Sequence, residues 1–401
     1  MAGTKRVCAS GRRRVVSALM IAAAIGGLVT RAAGQDVEFV GIHVIQEFQD
    51  GQQTANPFTF EAEAAGPGLQ SVTPVQVMTP NGGTLVLTFD PGDDEWRHLQ
   101  PGIASLCDVE SQYGFGDYTF LFPWGDQTTV SFDPGTADCA TLPFTGYGDV
   151  VSPQHLATGV DLFPTIEWTC VGGPCGTFGW FVEVYPMNGI GTDFSGEFLN
   201  PAATSWTPPG CLTGGRTYGL YLATATALPG GIQNLVTTMG DAFVYAPAWE
   251  HTNTIEFDTR APVGTSYCVT APNSAGPGAR ICVAGSPTVA DQDLTIVAHD
   301  CPEDVPGLFY FGPDQLAGGP PFGNGHRCVR VGGSRRVYPF ATTGPSNGSP
   351  AGTAVRELDF SAPYATGLMA GSNANFQYWY RDNAAGGAGF NLTDGVQVML
   401  Q

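Results

Sequence analysis

Hydrophobic and polar residues alternate along short stretches of this chain, and clusters of turn-forming residues separate the stretches. Residues 37–44 alternate as a half-buried strand does. Alternating runs at 116–122 and 128–132 flank a short polar loop, which predicts a β-hairpin. A turn cluster at 79–83 predicts a returning strand at 84–89. The sequence contains no heptads, long amphipathic helix or fixed-period repeat, so it predicts an all-β chain.

The composition supports this fold class and adds a domain count. The 401 residues include 55 glycines and 31 prolines, and 13% are charged against 43% that are hydrophobic. Disordered chains are richer in charge and poorer in apolar residues, whereas helical proteins contain fewer glycines. The length exceeds that of a single sandwich. Pro/Gly-rich seams therefore predict three consecutive β domains, at 36–141, 150–258 and 259–401.

The first 34 residues have the layout of a secretory signal peptide. Basic residues between 5 and 14 precede an apolar run at 15–29, and the small residues Ala32, Ala33 and Gly34 follow. The apolar run is shorter than the roughly 20 residues that span a bilayer as a helix. We expect cleavage after this segment, an extracellular or cell-surface location and no membrane span afterwards. The alternative is an uncleaved N-terminal anchor.

Without residues 1–34 the chain is strongly acidic. It keeps 10 basic and 36 acidic residues, a net charge of −26 (10 − 36). Such a surface repels nucleic acids and anionic lipids, so no nucleic-acid partner is expected. Four carboxylates at Asp90, Asp93, Asp94 and Glu95 occupy one turn, and calcium prefers several oxygen ligands on a flexible loop. The alternative is a solvated hairpin loop, and we predict no cofactor.

Nine cysteines remain once Cys8 is removed with the signal peptide. In an oxidising compartment most of them should pair, and the odd number leaves at least one unpaired. Pairing within a domain is favoured, so we predict a disulfide between Cys107 and Cys139. A second is predicted between Cys170 and Cys175, closing a short loop. No matching downstream pair accompanies Cys170 and Cys175, so a structural zinc site is not expected.

The sequence contains no set of residues with the spacing that a known catalytic site requires. Residues 344–348 match the Gly-x-Ser-x-Gly motif, whose serine needs a strand before it and a helix after it. Here Ser346 lies in turn-rich sequence with no predicted helix. No two histidines have the i, i+4 spacing of a zinc-binding helix. We therefore predict that the chain is not an enzyme. The histidines are His43, His98, His155, His251, His299 and His326.

The middle segment contains an ordered set of core motifs. Trp168 ends an early strand, and Leu212, Gly215 and Tyr218 form a Leu-x-x-Gly-x-x-Tyr stretch that enters a long strand. This order resembles the fibronectin type III or immunoglobulin-like family. The resemblance implies a β-sandwich with Trp168 in its core and Tyr218 in a tyrosine corner. The loop flanked by Cys170 and Cys175 departs from the family pattern.

The last segment combines Tyr267-Cys268, a Pro-Asn-Ser step at 272–274, Cys328-Val329 and an aromatic strand at 376–382. It resembles a C-terminal module common on large secreted proteins of environmental bacteria, which has no established activity. Members of that family often end in a strand that carries a cysteine, and this chain does not. The resemblance therefore leaves Cys282, Cys301 or Cys328 as substitute partners for Cys268.

Together these features predict a non-enzymatic, secreted or cell-surface bacterial protein with a structural, adhesive or attachment role. Its expected partner is a cell-envelope or extracellular-matrix component, including polysaccharide. The alternative is a carbohydrate-binding protein that uses exposed aromatics or loops at one end of a sandwich. Alternation sends Trp379 to the face opposite Tyr378 and Tyr380, and one of these faces is expected to be core. The aromatic candidates are Trp124, Trp180, Trp206, Trp249 and residues 378–380.

Overall fold

The computed structural model describes residues 37–401 except 38, 67–68, 70–73, 92–94, 135–138, 141–145, 174, 176–178, 189–193, 228–232, 237–241, 331 and 347–348. The described residues form thirty strands, one α-helix and two short 3-10 turns. The predicted all-β class is therefore confirmed. The predicted signal peptide, residues 1–34, lies outside the described residues.

The first unit, residues 37–140, packs two sheets around one core. Alternation along the strands directs Ile42, Phe60 and Phe120 inward. The helix α1 (Leu106–Tyr113) packs on the same core, and its N-terminus is capped by the Ser105 hydroxyl, which accepts the Asp108 N–H. The strands are β1 (Phe39–Gln49), β2 (Gln52–Ala65), β3 (Gln76–Met78), β4 (Thr84–Val86), β5 (Thr88–Asp90), β6 (Glu95–Ile103), β7 (Gly116–Leu121) and β8 (Gln127–Phe132).

The two sheets of the first unit differ from the prediction in one place. Strands β1, β2, β6 and β5 are neighbours in one sheet, and the other sheet has the order β4-β3-β7-β8. The predicted returning strand at 84–89 is split between them. Leu87 lies at the break, where it is buried and donates its N–H to the Val75 carbonyl. The predicted hairpin at 116–132 is confirmed as β7 paired with β8.

The second unit, residues 147–259, is a sandwich of two antiparallel sheets. One has the order β14-β11-β9, and the facing sheet contains β13, β12, β15 and β17 as neighbours. Trp168, Trp180, Trp206 and Tyr218 lie in the core between them. The strands are β9 (Tyr147–Ser152), β10 (Ala157–Val160), β11 (Ile166–Val171), β12 (Trp180–Pro186), β13 (Phe194–Leu199), β14 (Ser205–Trp206), β15 (Thr217–Ala227), β16 (Gln233–Val236) and β17 (Ala242–Thr259).

This strand arrangement is that of fibronectin type III and immunoglobulin-like domains. Trp168 is 1% exposed at the centre of the core. The hydroxyl of Tyr218 accepts the N–H of Thr213 at 2.9 Å, which closes a corner just before β15. Both roles implied by the resemblance are therefore present. The unit is a fibronectin type III/Ig-like sandwich.

The third unit, residues 265–401, also packs two sheets around one core. One sheet has the order β18-β30-β28-β21-β24, with β25 on β21 and β29 on β28, and the other is β19-β20-β27-β26. Its strands are β18 (Thr265–Tyr267), β19 (Arg280–Gly285), β20 (Leu294–Pro302), β21 (Pro306–Gly312), β22 (Pro321–Phe322), β23 (Gly325–His326), β24 (Arg335–Arg336), β25 (Ala341–Thr342), β26 (Gly344–Ser346), β27 (Ser349–Glu357), β28 (Asn373–Arg381), β29 (Phe390–Leu392) and β30 (Gly395–Met399). The 3-10 turns are Val289–Asp291 and Pro363–Ala365.

One sheet is common to the first two units. Strand β1 pairs with β2 on one side and runs parallel to β17 on the other, from Phe39 opposite Val244 to Gln49 opposite Thr254. Strand β17 also pairs with β15 of the sandwich. The predicted seam between 141 and 150 thus separates segments whose strands belong to one continuous sheet, although each segment has its own core.

The second and third units meet through a covalent bond and polar contacts. Cys211 and Cys282 form a disulfide. The Asp161 carboxylate of the second unit accepts the Gly285 N–H at 2.9 Å and lies 3.0 Å from the Arg260 guanidinium. These contacts fix the sandwich against the edge of the third unit. Among the residues described, no helix has the length and apolar character needed to cross a bilayer.

Candidate functional site

A cluster of charged side chains joins the first two units on the shared sheet. Alternation along β1 sends Ile42 and Val44 to the core of the first unit and His43 to the opposite face. His43 Nε2 lies 2.9 Å from Glu63 Oε1 on β2, and its Nδ1 lies 3.2 Å from Glu250 Oε1 on β17. All three side chains are buried. The imidazole therefore bridges the two strands that flank β1.

The surroundings shift the proton equilibria of this cluster. Burial alone would lower the pKa of His43, but the charges of Glu63 and Glu250 and hydrogen bonds to them outweigh it and raise the pKa to about 10. The imidazole is thus protonated at neutral pH. Burial, reinforced by repulsion from Glu63, raises the pKa of Glu61 well above its ordinary value. The cluster holds protons that an unfolded chain would release.

Three carboxylates of the cluster have the donor chemistry of a cation site. Oxygens of Glu61, Glu63 and Glu95 lie within 4.8 Å of one another, and all three residues are buried. Carboxylate oxygens suit hard cations such as Ca²⁺ and Mg²⁺. Positive side chains already oppose part of this charge, because His43 contacts Glu63 and Arg97 Nη1 lies 3.5 Å from Glu95 Oε1. The cluster is therefore a set of buried ion pairs at the junction of the first and second units.

The acidic turn that was the calcium candidate is only partly described. Asp90 and Glu95 both form ion pairs with Arg97, so two of the four carboxylates of the turn already have a cationic partner. Asp93 and Asp94 lie outside the described residues. Calcium binding at this turn stays a prediction.

A cavity opens at one end of the sandwich in the second unit. Its volume is about 440 Å³, and Trp168, Trp180 and the Cys170–Cys175 disulfide line it together with residues 201–204. The two indole rings lie 5.6 Å apart at 56°. Trp180 donates its indole N–H to the Pro201 carbonyl at 3.1 Å. Trp168 and Trp180 are 1% and 2% exposed, so neither ring presents a flat face to solvent.

The cysteines predicted to pair lie together. Cys107 bonds to Cys139, which ties α1 to the end of the first unit, and Cys170 bonds to Cys175 across five positions. The partner of Cys268, left open by the sequence, is Cys328. The remaining bond, Cys211–Cys282, crosses from the second unit to the third. It departs from the expectation of pairing within domains, because the two units are in direct contact at that point.

Cys301 is the free cysteine among the described residues. It is buried in the core of the third unit, on β20. Burial raises the pKa of its thiol well above the ordinary value. The thiol is therefore protonated and unreactive at neutral pH.

The hydrolase motif does not have the geometry of a nucleophile elbow. Ser346 ends strand β26, and the next described element is strand β27, which pairs antiparallel with β26. A strand–turn–helix is needed to strain and expose the serine. The first three residues of the motif form a strand that pairs with β27 instead.

The histidines are separated and have individual structural partners. His251 contacts the Gln46 side chain at 2.9 Å, and His155 Nδ1 accepts the Glu256 N–H at 3.0 Å. His98 contacts the Tyr113 hydroxyl, His299 contacts Asp300, and His326 contacts the Gly319 carbonyl. With His43 they occupy six different places in the described structure.

Most of the aromatic candidates belong to cores. Trp180 and Trp206 are 2% and 4% exposed, and Tyr378 and Tyr380 are fully buried. Trp379 lies on the opposite face of β28 and is half-buried against Phe390. The predicted alternation along this strand is confirmed. Trp124 stacks on Phe122. The Trp249 side chain lies outside the described part of the structure.

No family model matches the chain, and no curated protein matches it. Among solved structures, the chain is similar to a tetra-tandem repeat from the extending region of a large adhesion protein, at 11% identity, covering 89% of this chain and 74% of that one with a TM-score of 0.17. It is also similar to the chicken CNTN1 FN1–FN3 domains, at 9% identity, covering 92% and 100% with a TM-score of 0.16. A third likeness is to fibronectin(III)-like modules of Clostridium thermocellum CbhA, at 11% identity, covering 55% and 94% with a TM-score of 0.15.

Sequence reasoning missed the His43 cluster and the bond between the second and third units. The glutamates of the cluster come from strands about 190 positions apart in the chain, namely Glu63 and Glu250. A usable signal was present in β2, where Glu61 and Glu63 alternate with apolar residues on a strand buried on both faces. A buried strand with charged residues on one face indicates a polar partner on that face.

Proposed function

We propose that this chain is a non-enzymatic structural protein of the cell exterior with an adhesive or attachment role. The observation that carries this proposal is the shared strand β17, which completes the sandwich of the second unit and extends the sheet of the first. Modules that serve as flexible spacers are joined by linkers with few contacts. Here eleven residue pairs of parallel sheet join two cores.

The remaining contacts between units support the same role. His43 pairs with glutamates from both units within the sheet. The Cys211–Cys282 disulfide and the Asp161 contacts fasten the third unit to the second. Independent rotation of any unit would break buried ion pairs, ladder hydrogen bonds or a covalent bond. Such a body holds its two ends at a fixed distance, which suits a structural element.

The proposed location is extracellular or at the cell surface, and the disulfides support it. Four disulfides in the described part of the chain fit an oxidising compartment. Export by residues 1–34 remains a prediction. We propose a cell-envelope or extracellular-matrix component, including polysaccharide, as the partner. The non-enzymatic character is inferred because Ser346 lies in a hairpin and the histidines are dispersed.

The test is binding of the purified, oxidised chain to isolated cell envelopes of the source bacterium, with and without calcium. The proposal predicts saturable binding, and digestion of the envelope polysaccharide before the assay identifies the component. A matched control is the chain with Cys211→Ser and Cys282→Ser, which removes the covalent bond between the second and third units and leaves every other residue unchanged. Absence of saturable binding by the oxidised chain would refute the attachment role.

A further inference from the structure

Beyond residue 34, the positive charge of this chain is concentrated in residues 259–401. Residues 35–258 carry 26 acidic residues and two basic ones, Arg97 and Arg216, a net charge of −24 (2 − 26). Residues 259–401 carry eight arginines and ten acidic residues, a net charge of −2 (8 − 10). Two surfaces of very different potential therefore belong to one molecule.

Most arginines of this segment form no ion pair with the described carboxylates. Within the described chain, only Arg260 among these eight pairs with a carboxylate, that of Asp161. Arg335 and Arg336 are exposed on the edge strand β24. The Arg336 guanidinium lies 3.5 Å from the Tyr338 hydroxyl, and Arg356 donates to the Pro339 carbonyl at 3.1 Å. These cations are held in place by neutral groups, so their charge is available to a partner.

Two aromatic side chains project beside these arginines. We name residues 335–340 the arginine–aromatic loop. Val337 anchors it in the core of the third unit, whereas Tyr338 and Phe340 are 48% and 58% exposed and their rings lie 5.8 Å apart. Tyrosine, phenylalanine and arginine are enriched at protein interfaces, and tyrosine and arginine among their hot spots. Exposed aromatics beside unpaired arginines indicate a docking surface for an acidic and partly apolar partner.

A surface of that chemistry lies on the first unit. The sheet β4-β3-β7-β8 buries one face in the core, and its outer face presents Met78 and Val86, which are 47% and 53% exposed. Asp117 on β7 is exposed, as is Asp133 just beyond β8. We name this the acidic outer sheet. It combines apolar side chains with carboxylates, as the loop combines aromatic side chains with guanidinium groups.

We propose that the arginine–aromatic loop docks on the acidic outer sheet of a second copy of this chain. This inference rests on the proposed attachment role and names a partner for it. The two patches are different, so the contact is heterologous, and a bound pair still has one free patch of each kind. Unless the rotation closes a ring, such contacts build open chains of molecules. Opposite charges also accelerate the encounter, and salt weakens it.

The test uses two variants of the full oxidised chain and their mixture. The loop variant carries Arg335→Glu, Arg336→Glu and Tyr338→Ala, and the sheet variant carries Met78→Ser, Val86→Thr and Asp117→Lys. Size-exclusion chromatography with light scattering gives the mass across a range of concentrations. The wild type should grow beyond a dimer and dissociate at high salt. Each variant alone should be monomeric, with an association constant lower by about tenfold or more. Their mixture should form one-to-one dimers and stop there, because each copy keeps one intact patch.

A matched control and three contrary outcomes complete the test. Arg330→Glu makes one such charge reversal at an exposed arginine outside the loop, and it should associate like the wild type. A monomeric wild type, unchanged association of the loop variant, or a mixture that stays monomeric would each overturn the proposal. Loop-dependent binding to an anionic polysaccharide by a monomeric wild type would overturn it in favour of a different partner. Envelope binding is measured separately, so failure of self-association is distinguishable from failure of the attachment role.

Discussion

Removal of the Cys211–Cys282 disulfide is the perturbation that most changes how the second and third units are joined. The bond closes 71 positions of chain, from the loop before β15 to strand β19. In the chain-entropy description, the stabilisation grows with the logarithm of that separation and comes to about 4 kcal/mol for a loop of this length. Replacement of both cysteines by serine should therefore lower the free energy of unfolding by up to about 4 kcal/mol.

The assay is urea denaturation followed by tryptophan fluorescence. Trp168, Trp180 and Trp206 all lie in the core of the second unit, so a large part of the change in tryptophan emission reports the unfolding of that unit. The double serine variant should unfold at lower urea and with a shallower transition, because the second and third units no longer unfold together. The oxidised wild type should show the higher midpoint and the steeper slope.

A second disulfide in the same unit provides the control. Cys170 and Cys175 are separated by five positions, for which the same description gives about 2 kcal/mol. Both double variants lose two sulfurs, but only Cys211→Ser with Cys282→Ser removes the covalent bond between the second and third units. An equal shift for both variants, or no shift for Cys211→Ser with Cys282→Ser, would refute the reasoning that this bond couples the units.

Two further predictions concern the tyrosine corner and the charged cluster. Tyr218→Phe removes the acceptor of the Thr213 N–H and should lower the free energy of unfolding by about 1–2 kcal/mol in urea titration. Tyr147→Phe is a control for hydroxyl removal, because it loses a hydrogen bond to the Gly51 carbonyl outside the corner. Retention of wild-type stability by Tyr218→Phe would contradict the corner. The folded chain keeps the His43 proton up to about pH 10, whereas an unfolded histidine releases it near pH 6.5. The folded state therefore binds more protons in that window, and stability should fall as pH rises from 6.5 towards 10. The raised pKa of Glu61 acts in the same direction. His43→Gln should flatten this slope in denaturation curves recorded across the window, and an undiminished slope in that variant would count against the buried pairs.

Local patterns were sufficient for much of each unit. The hairpin of β7 and β8 follows from alternation around a short polar loop. The corner at Tyr218 was implied by the resemblance of the stretch from Leu212 to Tyr218 to fibronectin type III and Ig-like domains. Both depend on contacts close in sequence. The strand predicted at 84–89 is divided at Leu87, which turns into the core. The residues before Leu87 pair in one sheet and those after it pair in the other, which local alternation does not specify.

The joints between units could not be predicted in the same way. Strand β1 pairs with a strand about 200 positions away, and nothing in the alternation of β1 specifies whether its second neighbour comes from the same segment. The His43 cluster depends on that pairing, since Glu250 comes from β17. The arginine–aromatic loop is visible in sequence as a run of arginine and aromatic residues, but only the structure separates buried Val337 from exposed Tyr338 and Phe340.

The central claim is that the three units form one rigid body, and distances between spin labels test it most directly. Labels carried by non-canonical residues at the exposed positions Gln100, Val151 and Met369 report the first, second and third units without disturbing the disulfides. Pulsed electron paramagnetic resonance on dilute, oxidised protein should give one narrow distance distribution for Gln100 with Val151 and another for Val151 with Met369. Loss of the Cys211–Cys282 bond should broaden only the second. A broad distribution between Gln100 and Val151 in the intact chain would contradict the continuous sheet.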